Sequence, residues 1–292
     1  MLERKIALGT VQLGQNYGVA NESGQVSTHE CSLILDEAFS HGIDMIDTAI
    51  GYGESEAVLG QFDLESWKII SKLPRLPESE FSSASLWVAD QVTASLDRLK
   101  VGSLYGILLH CPDQLFSPNG KNIYQSLIRL KEMGYVQKIG VSIYSPDELD
   151  KLFQEMQFDI VQAPLSILDR RLIHSGWLAR LSEANVEIHV RSIFLQGLLL
   201  MSNERRPKKF DRWQPVWSEW NRWLLESNLT PLEACLGYAL SINEVDRVVV
   251  GVDSVSHLSE ILCLESPKKL SSPNWPESID MELLNPAKWG AL

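Results

Sequence analysis

A single-domain (β/α)8 barrel is the fold class that this 292-residue chain predicts. Three observations carry that expectation. Eight short apolar runs recur along the chain, and segments with helical periodicity fill the gaps between them. With 45% hydrophobic residues the chain can bury one large core, and single barrels of this kind commonly run to ~250 residues or more. No linker divides the sequence, so residues 1–292 read as one domain.

The strands are expected near 5–9, 43–47, 67–71, 104–109, 138–142, 159–162, 186–191 and 247–251. Of the intervening helices, Ser27 to His41 opens on a Ser/Thr cap signal and stops at Gly42. Ser85 to Leu99 repeats apolar residues at Leu86, Val88, Ala89, Val92, Leu96 and Leu99, the 3.6-residue period of one buried face. Asn122 to Met133 ends at Gly134. Pro146 to Met156, Ser175 to Ala184, Pro231 to Ser241 and Val255 to Leu264 complete the set, several opening on proline or Ser/Thr. There is no internal repeat.

Two segments break the alternation. Between Gly197 and Thr230 the chain is long, and Trp213, Trp217, Trp220 and Trp223 recur at spacings of 4, 3 and 3, which is helical. This reads as an insertion after strand seven. Its Trp stripe either covers the barrel or walls a substrate pocket; covering is the simpler reading, because large aromatics bury where they can. Residues 265–292, with Pro267, Pro273, Pro276 and Pro286, read as an extended C-terminal tail lying over the pocket mouth or packing outside it.

A formal net charge of -12 repels phosphate backbones and disfavours a nucleic-acid partner. The N-terminal MLERKIALG mixes charges with a very short apolar run, and nowhere do about 18 apolar residues follow one another, so neither a signal peptide nor a membrane span is expected. The cytoplasm is the expected location, and a homo-oligomer is left open. Cys31, Cys111, Cys235 and Cys263 are scattered without metal-ligand spacing and read as reduced thiols; no metal site is expected. Cys111 adjoins His110, but Pro112 follows and no second histidine is near, so packing is preferred to a nucleophilic role.

The segment DTAIGYGESEAVLG, residues 47–60, places a carboxylate, Asp47, five positions before a phenol, Tyr52. Lys72 and His110 each close a later apolar run. If those runs are parallel strands of one closed sheet, all four side chains emerge at the same rim, where catalytic groups of such barrels gather. Together they suit proton transfer to a carbonyl oxygen. A tyrosine hydroxyl is by itself a weak acid, with a reference pKa near ~10, and a neighbouring ammonium favours its phenolate. Asp47 would hold Lys72 charged, and His110 would orient the carbonyl. Taken singly, each has a structural explanation: a turn cap, a surface turn residue between Gly51 and Gly53, a solvated lysine, a satisfied histidine. Glu54 and Glu56 read as helix-start acids complementing the dipole. Asp169, Arg170 and Arg171 read as a structural ion pair near the barrel top, with a substrate contact as the alternative.

These residues resemble the Asp, Tyr, Lys and His tetrad of the aldo-keto reductases, which are TIM barrels. The resemblance extends over most of the chain, through LGTVQLG at 8–14, SKLP at 71–74, LLHCP at 108–112, KIGVS at 138–142, QAPLSILDRR at 162–171 and RSIFLQGLL at 191–199. It implies reduction of an aldehyde or ketone, a small-molecule carbonyl or sugar substrate, by NADP(H) or NAD(H), with Tyr52 as general acid. No Gly-x-Gly-x-x-Gly follows the first strand, so a Rossmann domain is not the cofactor site. By resemblance, Ser142 and Gln162 meet the nicotinamide carboxamide; Ser192, Leu195 and Gly197 line the pyrophosphate loop; and the helix start after Gly251 receives the adenosine end.

Three positions depart from the family pattern. Ile143 stands where many members carry Asn, and Arg191 where many carry an aromatic stacked on the nicotinamide, with Phe194 nearby. Ser254, preceded by Asp253, stands where a Lys or Arg usually grips the 2′-phosphate of NADPH; a carboxylate there would instead hydrogen-bond a free ribose hydroxyl, which makes NADH plausible. Two alternatives stay open: a catalytically weak dinucleotide-binding scaffold, as the potassium-channel β-subunits of this family illustrate, and a sugar-modifying enzyme of surface-polysaccharide synthesis, towards which the run GTVQLGQNYGVANESG points.

Overall fold

Eight parallel strands close into a barrel in their order along the chain, β1 to β8. They are β1 (Ile6–Gly9), β2 (Met45–Asp47), β3 (Lys68–Leu73), β4 (Leu104–Leu109), β5 (Val136–Ser142), β6 (Ile160–Pro164), β7 (Glu187–Arg191) and β8 (Arg247–Gly251). The structure is a computed structural model and describes residues 5–21, 23–264, 273–275 and 279–291. The expected single-domain (β/α)8 TIM barrel is therefore the observed fold, and all eight strands fall where the apolar runs placed them, within two residues at nearly every end. β1 closes the ring by pairing with β8, Gly9 opposite Gly251.

The helices in chain order are α1 (Val11–Gly14), α2 (Thr28–Ser40), α3 (Ser55–Leu59), α4 (Ala84–Leu99), α5 (Gly120–Glu132), α6 (Asp147–Glu155), α7 (Arg171–His174), α8 (Trp177–Glu183), α9 (Gln214–Ser227), α10 (Pro231–Leu240), α11 (Val255–Leu262) and α12 (Met281–Leu284). Their caps follow the sequence signals. The Ser27 hydroxyl accepts the Glu30 amide at the start of α2, and Thr230 and Glu233 form a reciprocal capping box at the start of α10. On α4 the buried face is Trp87, Val88, Val92, Leu96 and Leu99, whereas Leu86, expected on that face, is 63% exposed. The helix begins at Ala84, and tilting the stripe by one position brings the larger Trp87 inward.

Two layers of core result. Ala7, Met45, Ile70, Leu108 and Ile160 point into the barrel lumen and form one small cluster, while the larger cluster fills the space between the strands and the helix ring. A third cluster lies over the barrel top. There Trp213, Trp217, Trp220 and Trp223 are all buried with Phe210, Trp275 and Trp289, and Trp220 stacks on both Trp223 and Trp275. The Trp stripe thus covers the barrel. The C-terminal tail is not extended throughout: residues 281–291 form α12 and a 3-10 turn, Pro286–Ala291. Trp275 and Trp289 supply the reason, since anchoring two indoles in the apolar cap outweighs the extended bias of the prolines. Pro267 and Pro276 lie outside the described residues.

Candidate active site

The tetrad residues converge at the carboxyl-terminal rim. Asp47 is the last residue of β2, His110 follows β4, and Tyr52 lies on the loop between β2 and α3. Lys72, expected just after its strand, is inside it, because β3 continues to Leu73 and pairs Lys72 with Leu108. The lysine is consequently buried, 1% exposed, and not solvated.

Burial makes partners compulsory, and Lys72 and Asp47 each have two. Lys72 Nζ donates to Asp47 Oδ1 at 2.5 Å and to the Thr48 carbonyl at 2.9 Å. It also stands 3.5 Å from the Tyr52 hydroxyl, the outer limit of a hydrogen bond, with the ring centroid 5.0 Å away. Burial alone would lower the Lys72 pKa, but the charges of Asp47 and Tyr52 outweigh it and hold the ammonium above its usual value. The second Asp47 oxygen accepts Gln162 Nε2 at 2.7 Å, and Gln162 Oε1 in turn accepts the Ser142 hydroxyl at 3.0 Å. His110 presents its edge to the Tyr52 ring, centroids 5.8 Å apart. Its pKa is pushed down to about 4, mainly by burial and further by Lys72 and Arg191, so at neutral pH it is an uncharged imidazole.

The presentation of Tyr52 depends on a close backbone approach. Gly53 takes a left-handed φ of 55°, and a Cβ there would lie 2.4 Å from the Gly14 carbonyl oxygen; a Cβ on Gly14 would lie 1.6 Å from the Tyr52 carbonyl oxygen. Gly14 was not singled out from sequence, since its role exists only in the contact between two loops. Gly51, expected to share the turn's demands, has open space around it. Glu56 also departs from expectation. Its carboxylate is buried, 2% exposed, and accepts from the Ser71 and Ser95 hydroxyls and twice from Arg98, which ties α3 to β3 and α4. Asp169 and Arg171 form the expected ion pair, through two hydrogen bonds of 2.8 and 2.6 Å.

Above the tetrad opens a cavity of about 670 Å³ lined by Asp47, Tyr52 and His110, by Arg191, Ser192 and Gly197 from the end of β7, and by Gly251 and Asp253 from the end of β8. A second cavity, lined by Phe62, Trp67, Lys100 and Gln137 among others, includes none of the tetrad. Of the other residues expected at a cofactor, Ser142 and Gln162 are fully buried below the cavity floor and reach it only through Asp47. The Leu195 side chain packs into the tryptophan cluster. Ser254 caps α11, its hydroxyl accepting the His257 amide. Arg191 does not lie free in the cavity: it donates to the Ile143 backbone carbonyl at 2.9 Å and sits over the Tyr144 ring at 4.8 Å.

Two features fit this cavity to a dinucleotide. From Ser192 to Gly197 the backbone takes left-handed φ at Ser192, Leu195, Gln196 and Gly197, a concentration of strain at the cavity wall that three non-glycine residues share. Gln12, which also lines the cavity, has its Oε1 buried without a partner, an acceptor waiting for a hydroxyl or amide donor. The loop carrying Tyr17 and Val19 closes over this wall, with Val19 N donating to the Gln196 carbonyl and Gln196 Nε2 to the Tyr17 hydroxyl. Sequence reasoning did not single out Gln12, Tyr17 or Tyr144: the first two lie inside the N-terminal motif without having been given a role, and Tyr144 carries no motif. The cysteines are free, and burial raises the thiol pKa of Cys111 and lifts that of Cys31 to about 12. Among the described residues no group of three or more His, Cys, Asp or Glu side chains is placed to hold a metal ion, and no helix is long and apolar enough to cross a membrane.

Comparison with known proteins agrees with this geometry. The sequence model of the aldo/keto reductase family matches residues 5–276. The chain is 27% identical to a D-arabinose 1-dehydrogenase of Saccharomyces cerevisiae over 87% of its own length and 80% of that protein's. It is 27% identical to an NADH-specific methylglyoxal reductase of Escherichia coli over 67% of its length and 65% of the relative's. Among solved structures, the holo form of an aldo-keto reductase from Bacillus halodurans superposes with a TM-score of 0.70 at 20% identity, covering 88% of this chain and 85% of that one, which is a likeness of fold.

Proposed function

Since the chain belongs to the aldo/keto reductase family, and is an oxidoreductase dependent on NAD(P)H, we propose that Tyr52 is the general acid with which it reduces an aldehyde or ketone to the alcohol. The single observation that carries this assignment is the buried contact chain from Gln162 through Asp47 and Lys72 to the Tyr52 hydroxyl. When bound, the dinucleotide supplies the hydride to the carbonyl carbon. The protein's part is to receive the negative charge that develops on oxygen. Tyr52 donates its hydroxyl proton to that oxygen, and the Lys72 ammonium stabilises the tyrosinate left behind. Asp47 keeps Lys72 charged and aimed, and Gln162, with Ser142 behind it, fixes the Asp47 carboxylate as a positioning residue. His110, uncharged at neutral pH, aligns the carbonyl as a hydrogen-bond donor without competing for the proton.

Ser192, Gly197, Gly251 and Asp253 are the residues that would hold the dinucleotide, with Leu195 anchoring the loop and Ser254 the helix start. A small polar carbonyl compound is the substrate class this reading favours. The relatives named for D-arabinose and methylglyoxal support it, as do Gln15, Tyr17, Tyr144 and Gln196 on the cavity wall. The decisive experiment is Tyr52→Phe. It is expected to slow the chemical step by about 10²- to 10⁴-fold while leaving dinucleotide affinity close to wild type; preserved turnover would remove Tyr52 from the role.

A further inference from the structure

Glu30, on the first turn of α2, is absent from every motif above, and it does not itself line the cavity, yet its carboxylate reaches the start of α11 beside the cavity wall. Its backbone amide is held by the Ser27 hydroxyl, and its carboxylate crosses to α11, where Oε1 accepts the Val255 amide at 2.6 Å. Val255 is the first residue of α11, and the first amides of a helix are where a phosphate is ordinarily received. That seat is already taken. Two further amides of this turn, those of His257 and Leu258, are bonded to Ser254 Oγ and the Ser254 carbonyl. A second link, from the Ser259 hydroxyl to Glu37 Oε1 at 3.2 Å, pins α11 to α2 one turn further along. Glu30 is thus tied to α2 through its backbone and to α11 through its carboxylate.

The surroundings add to the effect. Asp253 lines the cavity beside α11 and accepts from Asn21 Nδ2 at 3.2 Å, and Glu260 lines the same wall. Among the described residues that line the cavity, Arg191 is the only Lys or Arg, and it is committed to the Ile143 carbonyl and Tyr144 ring at the end of β7. His257 is the other basic side chain that lines the α11 end among the described residues. A dinucleotide with its reacting ring at Tyr52 and its diphosphate at the 192–197 loop directs its second nucleoside towards β8 and α11. NADPH would bring there a 2′-phosphate carrying roughly −1.5 to −2 charges at neutral pH, onto a wall that carries Asp253 and Glu260, with no lysine or arginine there among the described residues to receive it. A free 2′-hydroxyl, by contrast, donates to a carboxylate such as Asp253.

We infer that Glu30, together with Asp253, makes this chain select NADH over NADPH, by closing the helix N-terminus of α11 to a phosphate. The inference rests on the dinucleotide reading of the cavity and names the residues that choose between its two forms. Like-charge exclusion also fixes its salt dependence: screening relaxes repulsion, so the discrimination shrinks as ionic strength rises.

The test is direct titration of the purified protein with NADH and with NADPH by isothermal calorimetry, at low and high salt, for wild type, Glu30→Gln and the Glu30→Gln/Asp253→Asn double variant. Both substitutions remove the charge and keep one oxygen acceptor, the other oxygen becoming an NH2 donor. Wild type is expected to bind NADH at least ~10-fold more tightly than NADPH; the double variant is expected to recover NADPH binding, to bind NADH more weakly for want of the Asp253 carboxylate, and to lose the salt dependence of the ratio. Equal or tighter binding of NADPH by wild type overturns the inference and leaves the reductase reading standing. A NADH preference that the double variant retains in full overturns the assignment to these residues. Binding of neither dinucleotide overturns the reductase reading itself, and the inference with it.

Discussion

Replacing Asp47 by Asn changes one atom's worth of volume and removes the charge around which the site is assembled. The carboxylate accepts from two donors, Lys72 Nζ on Oδ1 and Gln162 Nε2 on Oδ2. An amide accepts on only one side, so its NH2 must face either the ammonium or the Gln162 amide, both of them donors. Asp47 is 4% exposed and Lys72 1%, so water cannot compensate. Leaving one partner of a buried pair uncompensated costs about 3–5 kcal/mol; the 2.9 Å bond from Lys72 to the Thr48 carbonyl survives and places Asp47→Asn near the lower end. The loss also has a pH signature. Asp47 is the largest influence raising the Lys72 pKa, and without it burial prevails and the folded-state pKa falls below the unfolded value of ~10.4. The unfolded variant then binds the proton that the folded variant gives up, so its stability rises with pH in the window below ~10 and its deficit against wild type narrows. Urea unfolding at pH 6 and pH 9 measures this. A deficit under ~1 kcal/mol at both pH values, or one identical at the two, would refute the claim that Lys72 is held as an ammonium by Asp47.

Three further outcomes are expected. His110 has a folded pKa of about 4, below its unfolded ~6.5, so the folded state is fully favoured above pH 6.5 and loses up to ~3 kcal/mol as pH falls through that window; His110→Gln should abolish this part of the acid slope, and an unchanged urea-unfolding profile from pH 7 to 4 would contradict it. Gly197→Ala forces a left-handed φ of 88° on a residue whose new methyl would meet the Ala20 Cβ at 2.6 Å. With ~1–2 kcal/mol from the backbone alone, dinucleotide Kd should rise about tenfold, and calorimetric titration would expose an unaffected site. Trp220→Ala empties a side-chain volume that is 1% exposed between Trp223 and Trp275. It should cost about 3–5 kcal/mol while the NADH affinity of the folded variant stays near wild type, because none of the four tryptophans of the stripe lines the cavity; a large loss of affinity would return the stripe to the pocket wall.

The barrel was legible because its signals are local. Strands buried on both faces are continuous apolar runs, helices carry a 3.6-residue period, and Ser27, Thr230 and Ser254 announce helix starts by chemistry that acts within three residues. The tetrad was legible for a related reason: parallel strands end at one rim, so residues closing successive runs must meet there. Where sequence reasoning stopped short, the deciding contacts join residues far apart in the chain. Glu56 has the position of a helix-start acid, and only packing against Ser71, Ser95 and Arg98 turns it inward. Gln162 was placed at the cofactor, but a 115-residue separation conceals its bond to Asp47. Gly14 matters only because the Tyr52 loop folds onto it. The sequence by itself determined which elements form and which residues share one rim of the barrel, since periodicity, capping and strand direction are properties of short stretches. Which carboxylate steadies Lys72, which one closes α11, and whether the tryptophans roof the barrel or line its pocket were decided only by tertiary structure, because burial, and the obligation it places on every polar group to find a partner, exists only once distant segments have met.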